Sequence, residues 1–127
     1  MNKFDSNIPI YIQVMENMKR DIISGKLKPG DKIASVRELA MELSVNPNTI
    51  QKALSELERE GFLITERAVG RYVSDNIELI EEYKNMEIKK KIEVFIEDMK
   101  SLGVSVDEIL RFIDEFKEED YEWYYWY

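Results

Sequence analysis

Two residues, Ser44 and Val45, separate the stretch "SVRELAMEL" from the stretch "NPNTIQKALSELERE", and this short link constrains the chain more than any other feature. Both stretches carry helix signals, so the two helices must cross sharply, at helix-turn-helix spacing. The first opens with Ser35 and Glu38 in the S-x-x-E arrangement of a capping box, and Val36, Leu39, Ala40 and Leu43 give it an apolar face. In the second, Asn46 can cap the helix and Pro47 occupies the first helical position, where its missing N–H costs nothing. Val45 and Ile50 stand at the two positions of a hydrophobic staple. Ile50, Ala53, Leu54 and Leu57 then share one side, while Asn48, Gln51, Lys52, Ser55 and Arg59 lie roughly opposite. Gly61 stops the helix.

Around this pair the chain supplies the rest of a small domain. Pro9 begins an amphipathic helix with Ile12, Met15, Met18, Ile22 and Ile23 at helical spacing, ended by Ser24-Gly25. "KLKPGDKI" reads as a loop turning at Pro29-Gly30. "FLIT" and "RYVS" flank "ERAVG" as two short strands closing a hairpin, with Gly70 supplying a left-handed conformation. From Asn76 a long helix carries Leu79, Ile80, Tyr83, Met86, Ile88, Ile92, Phe95, Ile96 and Met99, and breaks at Leu102-Gly103. A last helix starts at a second capping box, Ser105 and Glu108. The predicted fold is mainly α with a small β-hairpin: a winged helix-turn-helix over residues 1–75, then a short helical dimerisation tail over 76–127.

Composition removes whole classes of function. With no Cys and no His, the chain lacks thiolate nucleophiles, disulfides, imidazole bases and the usual zinc or copper ligands. Carboxylate neighbours such as Glu81 and Glu82 point apart on a helix and have no base or nucleophile beside them, so no enzyme, no metal and no cofactor is expected. No apolar run approaches the roughly 18 residues that would span a bilayer, and a cytoplasmic protein is expected. The net charge of −8 misleads until it is divided. Residues 1–75 hold 11 Lys+Arg and 11 Asp+Glu, whereas residues 76–127 hold 7 and 15 and so carry the whole imbalance. A nucleic-acid surface is therefore admissible in the first segment and disfavoured in the second.

A short, well-capped helix with neutral polar residues outward fits the major groove of B-DNA, where base edges offer donors and acceptors that Asn and Gln amides satisfy in pairs. Lys52 and Arg59 add phosphate contacts, and the helix N-terminus presents free N–H groups to a phosphate. Arg37 projects near the tight turn, and Arg67 and Arg71 flank the hairpin tip. The same polar face would also suit a merely solvated helix, and cations on edge strands also guard against aggregation.

The stretch "GDKIASVRELAMELSVNPNTIQKALSELEREGFLITERAVGRYV" resembles the DNA-binding domain of GntR-family bacterial transcription regulators. The variant "VNPNT" and a tail of only about 50 residues resemble the YtrA-like subfamily, whose tail is a helical dimerisation region. The resemblance implies DNA contacts from Arg37, from Asn46, Pro47, Asn48, Thr49 and Gln51, and from the wing at Gly70, with Ser35 counted among them. Many family members have Arg where this chain has Pro47 and Gln51, which shifts the reading away from guanine.

One winged domain covers few base pairs, so a two-fold dimer reading two half-sites is expected. Tyr83, Ile88, Ile92, Phe95, Ile96, Phe112 and Phe116 are the candidate dimerisation residues. The end, "DYEWYYWY", is expected to dock on its own chain or on a partner. The expected function is a sequence-specific repressor on a pseudo-palindromic operator of double-stranded DNA, with a small-molecule effector left open. The alternative is a winged-helix protein-interaction module that does not read DNA, which the overall acidity favours.

Overall fold

Pro9 and Gly25 bound the first helix, α1 (Ile10–Ser24), in the computed structural model, which describes residues 4–118. Pro9 has an extended ψ of 136° and so stands as the cap, and the helix starts one residue later than the proline suggested. Gly25, at φ 85°, donates its N–H to the carbonyl of Ile22 and ends the element. Then follow α2 (Val36–Leu43), α3 (Pro47–Arg59), β1 (Leu63–Glu66), β2 (Gly70–Val73), α4 (Ile77–Ser101) and α5 (Val106–Glu118). The expected mainly helical fold with one hairpin is what the chain adopts. Two compact units divide at Asn85/Met86, within α4. The aromatic end, Tyr121–Tyr127, lies outside the described residues.

In the first unit α3 is the central element. Ile50, Ala53, Leu54 and Leu57, the four residues predicted for its inner face, are fully buried. They pack with Val14, Met15, Met18 and Ile22 of α1, Leu39 and Ala40 of α2, and Phe62, Leu63 and Val73 from the hairpin. Val14 replaces Ile12 and Ile23 on the inner face of α1; the latter two are half-buried. Ile80 of α4 joins the same core, with Leu79 and Tyr83 packed against it. Tyr83, expected on the dimer surface, meets the Phe62 ring edge-on at 5.2 Å and donates to Glu16 Oε2 at 3.2 Å.

One buried cation sits in this unit. Lys19 reaches Glu60 Oε1 at 2.7 Å, with its Nζ 5.1 Å from the Phe62 ring centre and 5.0 Å from that of Tyr83. Burial of an ammonium is tolerated only with such partners: a carboxylate for its charge and two ring faces for its remaining directions.

The hairpin pairs Leu63 with Val73, Ile64 with Tyr72, Thr65 with Arg71 and Glu66 with Gly70, leaving Arg67, Ala68 and Val69 as the tip. The left-handed conformation falls on Ala68 (φ 63°), while Gly70 takes φ 137°, a region closed to most side chains. The "KLKPGDKI" loop does more than connect. Ile33 donates to the Arg71 carbonyl at 3.0 Å, Val73 donates to that of Asp31 at 2.8 Å, and Lys32 bridges to Tyr72. The loop thus lines the outer edge of β2, and Ile33 turns into the core.

In the second unit the later turns of α4 meet α5 through a link broken at Gly103 (φ 77°). The second capping box forms: Glu108 N–H donates to Ser105 Oγ at 3.2 Å, and Ser105 N–H donates to Glu108 Oε1 at 3.3 Å. Phe95, Met99, Leu102, Ile109, Phe112 and Phe116 are among the residues lining an open, wholly apolar groove of about 400 Å³.

Candidate nucleic-acid interface

The turn between α2 and α3 is built as its short link demands. Ser44 adopts a left-handed φ of 55°, and Val45 donates to the Ala40 carbonyl at 3.0 Å. Ser35 is held in the capping box at the start of α2, its Oγ accepting from Glu38 N–H at 3.1 Å and its own N–H donating to Glu38 Oε1 at 3.0 Å. Backbone and side-chain hydrogen bonds from Ser35 hold the Glu38 carboxyl below its ordinary range. At the start of α3, Asn46 Oδ1 accepts from Asn48 N–H at 2.8 Å and Pro47 follows at the first helical position. The cap therefore uses the Asn46 carbonyl and leaves its Nδ2 donors outward.

Asn46, Pro47, Asn48, Gln51 and Lys52 are exposed, and Thr49 is half-buried. Arg37 is exposed on α2 and makes no ion pair among the described residues. Two members of this face are tethered. Lys52 Nζ stands 4.2 Å from the ring centre of Tyr11 on α1, and Gln51 Nε2 donates to Ser55 Oγ at 3.0 Å. Arg59, predicted as an outward phosphate contact, is bound to Glu56 one turn earlier, and this carboxylate raises its already high pKa.

On the wing the arginines divide. Arg67 is exposed at the tip and has no ion pair among the described residues. Arg71 lies inside β2, where its Nε donates to Glu58 Oε1 at 2.6 Å, so it fastens the hairpin to α3. Partial burial alone would raise the Glu58 carboxyl, but hydrogen bonds from Thr65 and Arg71, together with the Arg71 charge, leave it below its ordinary value. Lys32, Ser35, Val69 and Arg71 line an open hollow of about 320 Å³ beside the start of α2. Sequence reasoning missed Tyr11 and Glu58, because each meets its cation only through packing between distant segments.

A helix-turn-helix with an outward amide-bearing helix, an unpaired arginine beside its turn and an edge-lined hairpin defines the class of winged DNA-binding transcription regulators. Residues 10–73 match the family described as "Bacterial regulatory proteins, gntR family", and the chain belongs to that family. The resemblance to YtrA-like members holds. The chain is 42% identical over 111 residues to the HTH-type transcriptional repressor YtrA of Bacillus subtilis (strain 168), which covers 87% of this chain and 85% of the relative. A solved GntR-family transcriptional regulator from Listeria monocytogenes superposes with a TM-score of 0.78 at 38% identity, over 88% of this chain and 98% of that one. The DNA-binding domain of AraR, solved in complex with the operator ORR3, superposes with a TM-score of 0.51 at 32% identity, over 58% of this chain and 87% of that one. Among the described residues no helix is long and apolar enough to cross a membrane.

Proposed function

We propose that the protein is a homodimeric cytoplasmic repressor that occupies a pseudo-palindromic operator and blocks a promoter sterically. The observation carrying this reading is the exposed run Asn46, Pro47, Asn48, Gln51 and Lys52 on a firmly capped α3, beside an unpaired Arg37. Amides held on a rigid helix can satisfy base edges in the major groove, while Arg37 and Lys52 take phosphates or a guanine edge. Ser35 and Thr49 border the contact, and the wing adds Arg67 and the close backbone at Gly70, with Arg71 steadying the hairpin from behind. The operator-bound AraR domain, similar to this chain over its winged portion, supports the placement of α3 on DNA.

Ile88, Ile92, Phe95, Ile96 and Phe112, together with Phe116, form the dimer surface in this proposal. Ile88, Ile92, Phe95 and Phe112 are each more than 40% exposed within the second unit, an apolar area that a soluble domain normally covers with a partner. Tyr83 contributes through its packing on Phe62 instead.

Selection of bound duplexes from a random pool tests the whole reading. An inverted repeat, bound with affinity that falls steeply as salt rises, is the expected result. A protein that enriches no sequence, or whose binding ignores salt, would be the non-DNA module instead.

A further inference from the structure

Ser55 lies one turn beyond Gln51 on the outward face of α3, and both side chains are exposed. The bond from Gln51 Nε2 to Ser55 Oγ, at 3.0 Å, does two things to the amide. It occupies one of the two Nε2 protons, leaving the other proton and Oε1 available side by side. It also sets which way round the amide lies, because the nitrogen is drawn toward Ser55. A free Gln side chain samples many rotamers and both amide orientations, and it must give up that freedom on binding. Here the order of donor and acceptor along the groove is set beforehand.

A neighbouring donor and acceptor in fixed order match one base edge. Adenine shows an acceptor at N7 and a donor at N6, whereas guanine shows two acceptors and would want two donors. We infer that Ser55 is a specificity-determining positioning residue that holds the Gln51 amide for adenine in each half-site. This rests on α3 being the recognition helix. A structural task for the bond is excluded by its setting: an exposed hydrogen bond within one helix adds little to folding, and Ala is a better helix former than Ser.

The test uses the full chain and single-base-pair variants of the operator recovered by selection. Fluorescence anisotropy would be recorded for the wild type and for Gln51→Ala, Ser55→Ala and Ser55→Thr. Gln51→Ala should abolish the preference for adenine at one base pair of each half-site. Ser55→Ala should reduce that same preference about fivefold, leave binding to unrelated duplex unchanged, and leave the thermal midpoint equal or higher. Ser55→Thr, which keeps the hydroxyl, should restore the preference. Retention of full adenine preference by Ser55→Ala overturns the inference, as does a preferred base other than adenine at the Gln51 position. If the wild type discriminates among no duplexes, the recognition-helix reading falls first and Ser55 with it.

Discussion

Arg37, Arg59 and Arg71 carry the same charge, yet their neighbours give them different tasks. Glu56 neutralises Arg59 from one turn away, Glu58 neutralises Arg71 across the hairpin, and only Arg37 stands exposed without a carboxylate. A charge already satisfied within the protein has less to gain from a phosphate, so Arg37 should dominate. Arg37→Ala should weaken operator binding at least tenfold, about 1–3 kcal/mol, with an unchanged thermal midpoint. Arg59→Ala should change affinity by less than about threefold, because the exposed pair it breaks is worth little in either state. Anisotropy titrations beside thermal unfolding would check both, and equal losses from the two variants would refute the division. Lys19 shows the opposite limit: with a carboxylate and two ring faces around it, its charge is committed to the fold.

At the scale of elements, the wing depends on two contacts that its own sequence does not announce. Gly70 opens β2 at φ 137°, and a Cβ there would also stand 3.2 Å from Lys32 Cε. The lysine tip can move away but the backbone angle cannot, so Gly70→Ala should cost about 1–3 kcal/mol in urea unfolding. The second contact is the Glu58–Arg71 pair. Because the Glu58 pKa is lowered in the folded state, its contribution is present above the ordinary carboxylate range and is lost as pH falls through the folded value. Stability of the wild type should therefore drop more steeply than that of Glu58→Gln below about pH 4.5. Parallel slopes for the two proteins would remove Glu58 from the wing's support. These cases mark what could be read in advance. The caps at Ser35, Asn46 and Ser105 and the inner face of α3 follow from local spacing, so they stood plainly in the sequence. The pairing of residues 30–33 along β2, the Tyr11–Lys52 contact and the Lys19 cage depend on which distant segments pack together, and no local pattern encodes that. Among site residues, Arg37 and the α3 amides were legible through helical phase, whereas the tethering of Gln51, Lys52 and Arg71 was not.

For the whole molecule the balance of charge makes the oligomeric state measurable through salt. The winged segment is neutral in sum, so its attraction to DNA must come from a few local cations, and residues 76–127, which carry the entire −8, add none. The slope of log affinity against log salt counts the phosphates neutralised, at about 0.9 per contact on B-DNA. Two winged units bound together should give twice the slope of one. Phe112, 48% exposed on the apolar groove of the second unit, is the residue to disrupt, since a carboxylate there would be buried in any symmetric pairing. Phe112→Asp should sediment as a monomer at micromolar concentration, with the winged unit still folded by circular dichroism. On an isolated half-site it should bind like the wild-type winged unit, and on the full inverted repeat its salt slope should fall to about half. If Phe112→Asp remains dimeric and keeps the full slope, the pairing surface lies elsewhere. If it becomes monomeric but the slope does not change, one winged unit alone accounts for every phosphate contact, and the two-half-site geometry is wrong.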